Sequence, residues 1–124
     1  MDACAIEHLT RVCHEKMKKG SIILLETQNP LSLVVGASEF YKDPSHVKPI
    51  HPEAIRFMLE KAGFREVDIR FASPFPEEQN LRPLEIPYDI PEATRMVLEA
   101  VNARIERLNK LLYGYRDFFA VAKK

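Results

Sequence analysis

The chain has 124 residues, 46% of them hydrophobic and 29% charged, with eighteen basic side chains balanced by eighteen acidic ones. That length allows one modest core, so residues 1–124 are read as a single domain. A net charge of zero gives no global field to draw in nucleic acid or an anionic membrane, and no apolar run is long enough to span a bilayer.

The chain opens on a predicted helix, Ala3 to Lys18, with Ile6, Leu9, Cys13 and Met17 on one stripe. Lys16, Lys18 and Lys19 complement its carbonyl end, and Gly20 is a natural stop. Ser21–Glu26 follows as an unbroken apolar run, the pattern of a strand covered on both faces. Helix, glycine and buried strand form the second half of a βαβ unit, so the chain begins in the middle of a pattern. Asn29-Pro30 reads as a helix cap and first turn for a short helix over 31–36. A polar, proline-punctuated loop runs from Phe40 to Pro49, and Pro52 starts a helix that carries Ile55, Met58, Leu59 and Ala62 on one face and closes at Gly63.

Val67, Ile69 and Phe71 alternate with Glu66, Asp68 and Arg70, which marks a half-exposed edge strand. Five prolines make residues 72–91 an irregular excursion. A long helix is predicted over 91–112, with Leu98, Val101, Ile105, Leu108 and Leu112 at alternating steps of three and four. That stripe is expected to cover the chain's own sheet, with a seam for a second chain as the alternative. Gly114 ends the helix, and Asp117–Ala122 is a second strand of doubly buried character. Placing this last strand between the other two satisfies every pattern.

The two cysteines, Cys4 and Cys13, lie nine residues apart on one helix and point to opposite faces, so they cannot pair with each other. The N-terminus is acidic and lacks the long apolar run of a signal peptide; a reducing cytoplasm is the expected compartment. His8 and His14 are off the spacing for a shared metal and are expected at the surface. With the cysteines they make no zinc pattern, so no metal site is expected.

Lys19–Ser21 leading into Leu24–Pro30 resembles the strand-five segment of class I S-adenosylmethionine-dependent methyltransferases, and Phe40–Pro49 is similar to the "FY-DP-(T/S)H-(R/K)P" loop of a subgroup linked to sugar and polysaccharide methylation. Ala62-Gly63-Phe64 before Val67–Ile69 resembles the approach to the sixth strand of that family. Leu111–Gly114 and Asp117–Val121 resemble its closing helix and seventh strand. The resemblance implies an α/β, partial Rossmann-like fold: a three-stranded mixed sheet, the last strand antiparallel in the middle, flanked by three main helices. It implies S-adenosylmethionine as cofactor of the complete enzyme. The glycine-rich turn and ribose-binding acid of the family have no counterpart here, since Gly20, Gly36, Gly63 and Gly114 form no G-x-G cluster. The chain is therefore expected to be the C-terminal half, lacking the N-terminal cofactor-binding half, and neither to bind cofactor tightly nor to turn over alone.

His46 is the candidate catalytic residue, a base for a hydroxyl acceptor, with loop anchoring as its other reading. Tyr41, Glu26 and Asn29 are candidates for the substrate side; Asn29 has the cap as its structural alternative, and Asp43 before Pro44 reads as a turn former. The expected partners are a second copy of the chain or the missing half, with a small-molecule or sugar acceptor. The alternative function is a non-catalytic interaction or dimerisation module derived from a methyltransferase.

Overall fold

The computed structural model describes residues 2–124. Among these residues four helices and three strands follow in the order α1 (Ala3–Lys16), β1 (Ile22–Gln28), α2 (Leu33–Ala37), α3 (Pro52–Ala62), β2 (Arg65–Pro74), α4 (Glu92–Leu112) and β3 (Tyr115–Lys123). Single 3-10 turns occupy Glu39–Lys42 and Glu77–Gln79.

The strand order is β1-β3-β2, so the last strand does lie in the middle, antiparallel to both neighbours. The expected mixed sheet is corrected by this register: both pairings are antiparallel, because β1 and β2 run the same way but never touch. Thr27, Phe118 and Phe71 stand abreast on one face, as do Leu25, Ala120 and Ile69. Near its start β2 slips register between Arg65 and Asp68, where Glu66 takes a φ of 52°, the local kink of a bulge.

The core lies on that face. Ile55 and Leu59 of α3 pack with Phe64 against Ile23, Phe118, Ala120 and Ala122, and α1 adds Ile6 and Cys13 at the margin. α1 ends at Lys16, two residues earlier than expected, because Met17 is already extended and closes the helix by donating to the Cys13 carbonyl. On α1 the fully buried residue is Thr10 and not the stripe residue Leu9; its hydroxyl donates to the Glu7 carbonyl, which removes the cost of burying it. His14, expected at the surface, is half-buried and meets the Phe64 ring edge-on at 5.0 Å. His51 caps α3 by accepting from the Glu53 N–H, with Pro52 in the first turn.

The other face corrects the reading of doubly buried strands. Ile22 is 65% and Leu24 59% exposed, and Phe119 and Val121 beside them are only half-buried. An apolar run shows that both faces of a strand are suited to cover; it does not supply the cover. Nor does α4. It has no buried residue, so the expectation that its stripe covers this sheet fails. Its inner side instead holds the excursion after β2. The Asn102 amide exchanges hydrogen bonds with the N–H and carbonyl of Leu84, and Asn109 does the same with Leu81. Two asparagines seven residues apart share a helix face, so together they strap an extended segment along about 10 Å of helix. The opposite side of α4 leaves Met96 and Val97 each 62% exposed. No helix among the described residues is long and apolar enough to cross a membrane.

Candidate functional site

The C-terminal end of β1 opens into a cleft of about 360 Å³. Leu25 and Thr27 form its floor with Phe118, α1 contributes Ile6 and Leu9 as one wall, and Ile55 closes the α3 side. The loop after α2 supplies the roof through Phe40, His46, Lys48 and Ile50. Glu26 also lines it, although strand alternation and its register with Phe119 put its side chain on the open sheet face.

The roof is built locally. Phe40 is buried at the 3-10 turn, and the His46 ring stacks on it at 4.6 Å. The Asp43 carboxylate accepts from both the N–H and the hydroxyl of Ser45, and its carbonyl accepts from the His46 N–H. These bonds turn the chain back at Pro44, the turn-forming role read from the sequence. They also hold the Asp43 carboxyl below its ordinary range: the Ser45 hydroxyl contributes most, then the Ser45 N–H, with the nearby His46 adding a smaller effect against slight desolvation. A carboxyl lowered by folding stabilises the turn fully above its unfolded value of about 4, and that stabilisation is lost as pH falls through the lowered value. Acid titration followed by the Ser45 amide resonance is expected to show the turn persisting below pH 4. Asp43→Ala is expected to abolish this signature without unfolding the sheet, since the carboxylate is solvent-facing; a Ser45 resonance already collapsed at pH 4 in the unaltered chain would contradict it.

His46 has a defined tautomer. Its Nδ1 lies 2.7 Å from the Phe40 carbonyl, and a carbonyl only accepts, so Nδ1 carries the proton. Nε2, 3.7 Å from an Asp43 carboxylate oxygen, is left with the lone pair in the neutral ring. The ring is thus anchored to its loop through Nδ1, the structural reading of this residue.

The other candidates separate. Tyr41 packs edge-on to Phe40 at 5.3 Å, is 56% exposed, and is not among the residues lining the cleft. Asn29 is buried beside β3: its amide donates to the Tyr115 carbonyl and its side-chain oxygen accepts from the Leu31 N–H. It is not the helix cap expected of it. Ser32 caps α2 by accepting from Val35, and its own hydroxyl reaches the Leu112 carbonyl. Lys48 and Thr27 are cleft residues that sequence reasoning passed over. For Lys48 the signal was present in the basic residue before proline that closes the loop motif.

The glycines serve other ends. Gly63 closes α3 at a φ of 105°, Gly20 and Gly114 turn the chain into β1 and β3, and Gly36 packs within α2 against the Pro30 carbonyl. None lies in a turn leaving the C-terminal end of a strand, where a nucleotide-type ligand needs close backbone approach. No group of three or more His, Cys, Asp or Glu among the described residues is placed to hold a metal ion.

No protein-family model matches the chain, and no curated protein does. Among solved structures the chain is similar to a SAM-dependent methyltransferase from Archaeoglobus fulgidus, with a TM-score of 0.84 and 38% identity over 100% of this chain. It spans 54% of that protein's length. The likeness supports a methyltransferase origin.

Proposed function

We propose that the chain is the substrate-side, C-terminal portion of an S-adenosylmethionine-dependent methyltransferase, with the cleft under His46 as its acceptor site. The observation that carries this reading is the imidazole anchored through Nδ1 with Nε2 left to accept, at the C-terminal end of a sheet strand where ligands of such folds bind. The loop sequence resembles that of sugar-methylating enzymes, so a hydroxyl of a small sugar-type acceptor is the proposed substrate. Within the chain, the apolar floor orients the acceptor, Nε2 takes the hydroxyl proton, and the Asp43 carboxylate at 3.7 Å is placed to pair with the imidazolium that results. The residues present do not by themselves fit the cofactor, for want of a glycine turn at a strand end, and the methyl donor's contacts are assigned to a segment beyond this chain, in cis or from another molecule.

Calorimetric titration with S-adenosylhomocysteine tests the division of labour. The chain alone is expected to give no detectable heat at millimolar ligand. Micromolar affinity would overturn the reading, since an assembly of this chain would then have to rebuild a cofactor pocket.

A second reading has its own support. The open face of Ile22 and Leu24, the unpaired edge of β1 and the exposed side of α4 are surfaces suited to association. A non-catalytic interaction module, homodimeric or paired with another chain, is the function they favour. The mass in solution, recorded in the same titration, bears on it: a dimer supports its homodimeric form, and a monomer removes that form.

A further inference from the structure

We propose that the cleft selects a ligand carrying an anion on a small apolar body, with Lys48 as the residue that reads the charge. As a description of the methyl acceptor this rests on the reading above, with an apolar body in place of the sugar type taken from the loop resemblance; the binding itself does not.

The argument starts from the charges around the cleft. On α1, Glu7 is paired with Lys61 and Glu15 with Arg11, while Asp2 caps the helix, and the wall that α1 presents is Ile6 and Leu9. On α3, Glu53 pairs with Arg56 and the cleft-lining residue is Ile55. Asp43 is engaged with Ser45 and lies outside the lining, and alternation along β1 turns the Glu26 side chain to the opposite face of the sheet. Lys48 is set apart by its place. Like Lys16, Lys18, Lys19 and Lys123 it makes no ion pair or side-chain hydrogen bond among the described residues, but of these it is the one that lines the cleft, whereas Lys42, Lys61 and Lys110 have carboxylate partners and Lys124 donates to main-chain carbonyls. Pro49 follows it and restricts the Lys48 backbone to extended conformations, so the ammonium is carried on a stiff stretch of the roof.

Lys48 is exposed where it lines the cleft, and the apolar walls beside it lower the local dielectric, so an anion seated between them is attracted more strongly than in open water. Leu25, Ile55 and Phe118 make most of the surface beneath the roof apolar, with the Thr27 hydroxyl as the polar side chain of the floor. Such a surface suits a ring or short chain. A volume of about 360 Å³ is at the low end of small-molecule sites, about 300–1,000 Å³, which fits a single ring with its substituent.

Phenyl phosphate, phenylacetate, benzyl alcohol and benzylamine form a matched set of probes for the full 124-residue chain. Titrations followed by methyl resonances of Leu25, Ile50 and Ile55 are expected to show at least one of the two anions binding about five- to tenfold tighter than benzyl alcohol, and benzylamine weakest. Which anion binds identifies whether phosphate or carboxylate is preferred. Lys48→Met, which keeps the apolar stem, is expected to erase the preference while leaving benzyl alcohol affinity and the methyl spectrum of the free chain unchanged. Lys48→Arg is expected to retain it. The proposal is overturned if Lys48→Met leaves anion affinity intact, if benzyl alcohol or benzylamine matches both anions, or if the shifts fall on Ile22 and Leu24 instead. None of these outcomes touches the methyltransferase reading, which is decided by cofactor binding and by methyl transfer.

Discussion

Phe118→Ala is expected to destabilise the chain by about 3–5 kcal/mol, a large share of the stability of a domain this size. Phe118 is fully buried in the central strand, flanked by Thr27 on one side and Phe71 on the other. Its ring is the largest of the fully buried side chains. Removing it deletes apolar area and opens a void between sheet and helices that Ala120 and Ala122, both already minimal, cannot fill. Small domains of this length have roughly 5–15 kcal/mol to lose, so the urea midpoint should fall steeply with little change in slope. Phe57→Ala is the control. That ring is 64% exposed on α3, and its loss should move stability by no more than about 0.5 kcal/mol. Equal effects at the two positions would mean that the core is misplaced.

His46→Asn is expected to lower methyl transfer by about 10²–10⁴-fold in an enzyme completed by joining this chain to the part of the Archaeoglobus protein that it does not span. Asparagine keeps an N–H that can donate to the Phe40 carbonyl, the bond that anchors the native ring, but has no basic nitrogen to offer the acceptor. The loss should therefore fall on kcat with KM little altered. Tyr41→Phe is expected to change either parameter less than threefold, about 0.6 kcal/mol, because that hydroxyl stands off the cleft. An unchanged kcat in His46→Asn would reduce His46 to an anchor of its loop and move the search for a base elsewhere.

The two experiments address different depths of the molecule, and so did the sequence. Elements written in local periodicity were legible. Pro52 and Gly63 bound α3 because proline suits a first helical turn and the left-handed closing position needs a residue without a side chain. The middle position of the last strand followed from its continuous apolar run set against the alternation of Val67, Ile69 and Phe71. The loop motif pointed to His46, and the structure puts that side chain over a cleft.

Other features depended on which surfaces meet. Asn29 before Pro30 satisfies the local rule for a cap, yet its amide is used 86 residues away by the Tyr115 carbonyl, and Ser32 caps the helix instead. No periodicity records a partner at that distance. The stripe on α4 has the spacing of a buried seam, but Asn102 and Asn109 bind the excursion to the helix and no side chain of it is buried against the sheet. The apolar run of β1 marks both faces as fit for burial, while Ile22 and Leu24 remain in solvent. Sequence by itself determined the strands, the principal helices and the loop that carries the imidazole, since these follow from forces acting within a few residues. Only the tertiary structure decided which face became core, where the Asn29 amide is used and which charge lines the cleft, because burial and long-range hydrogen-bond partners are properties of segments brought together from far along the chain.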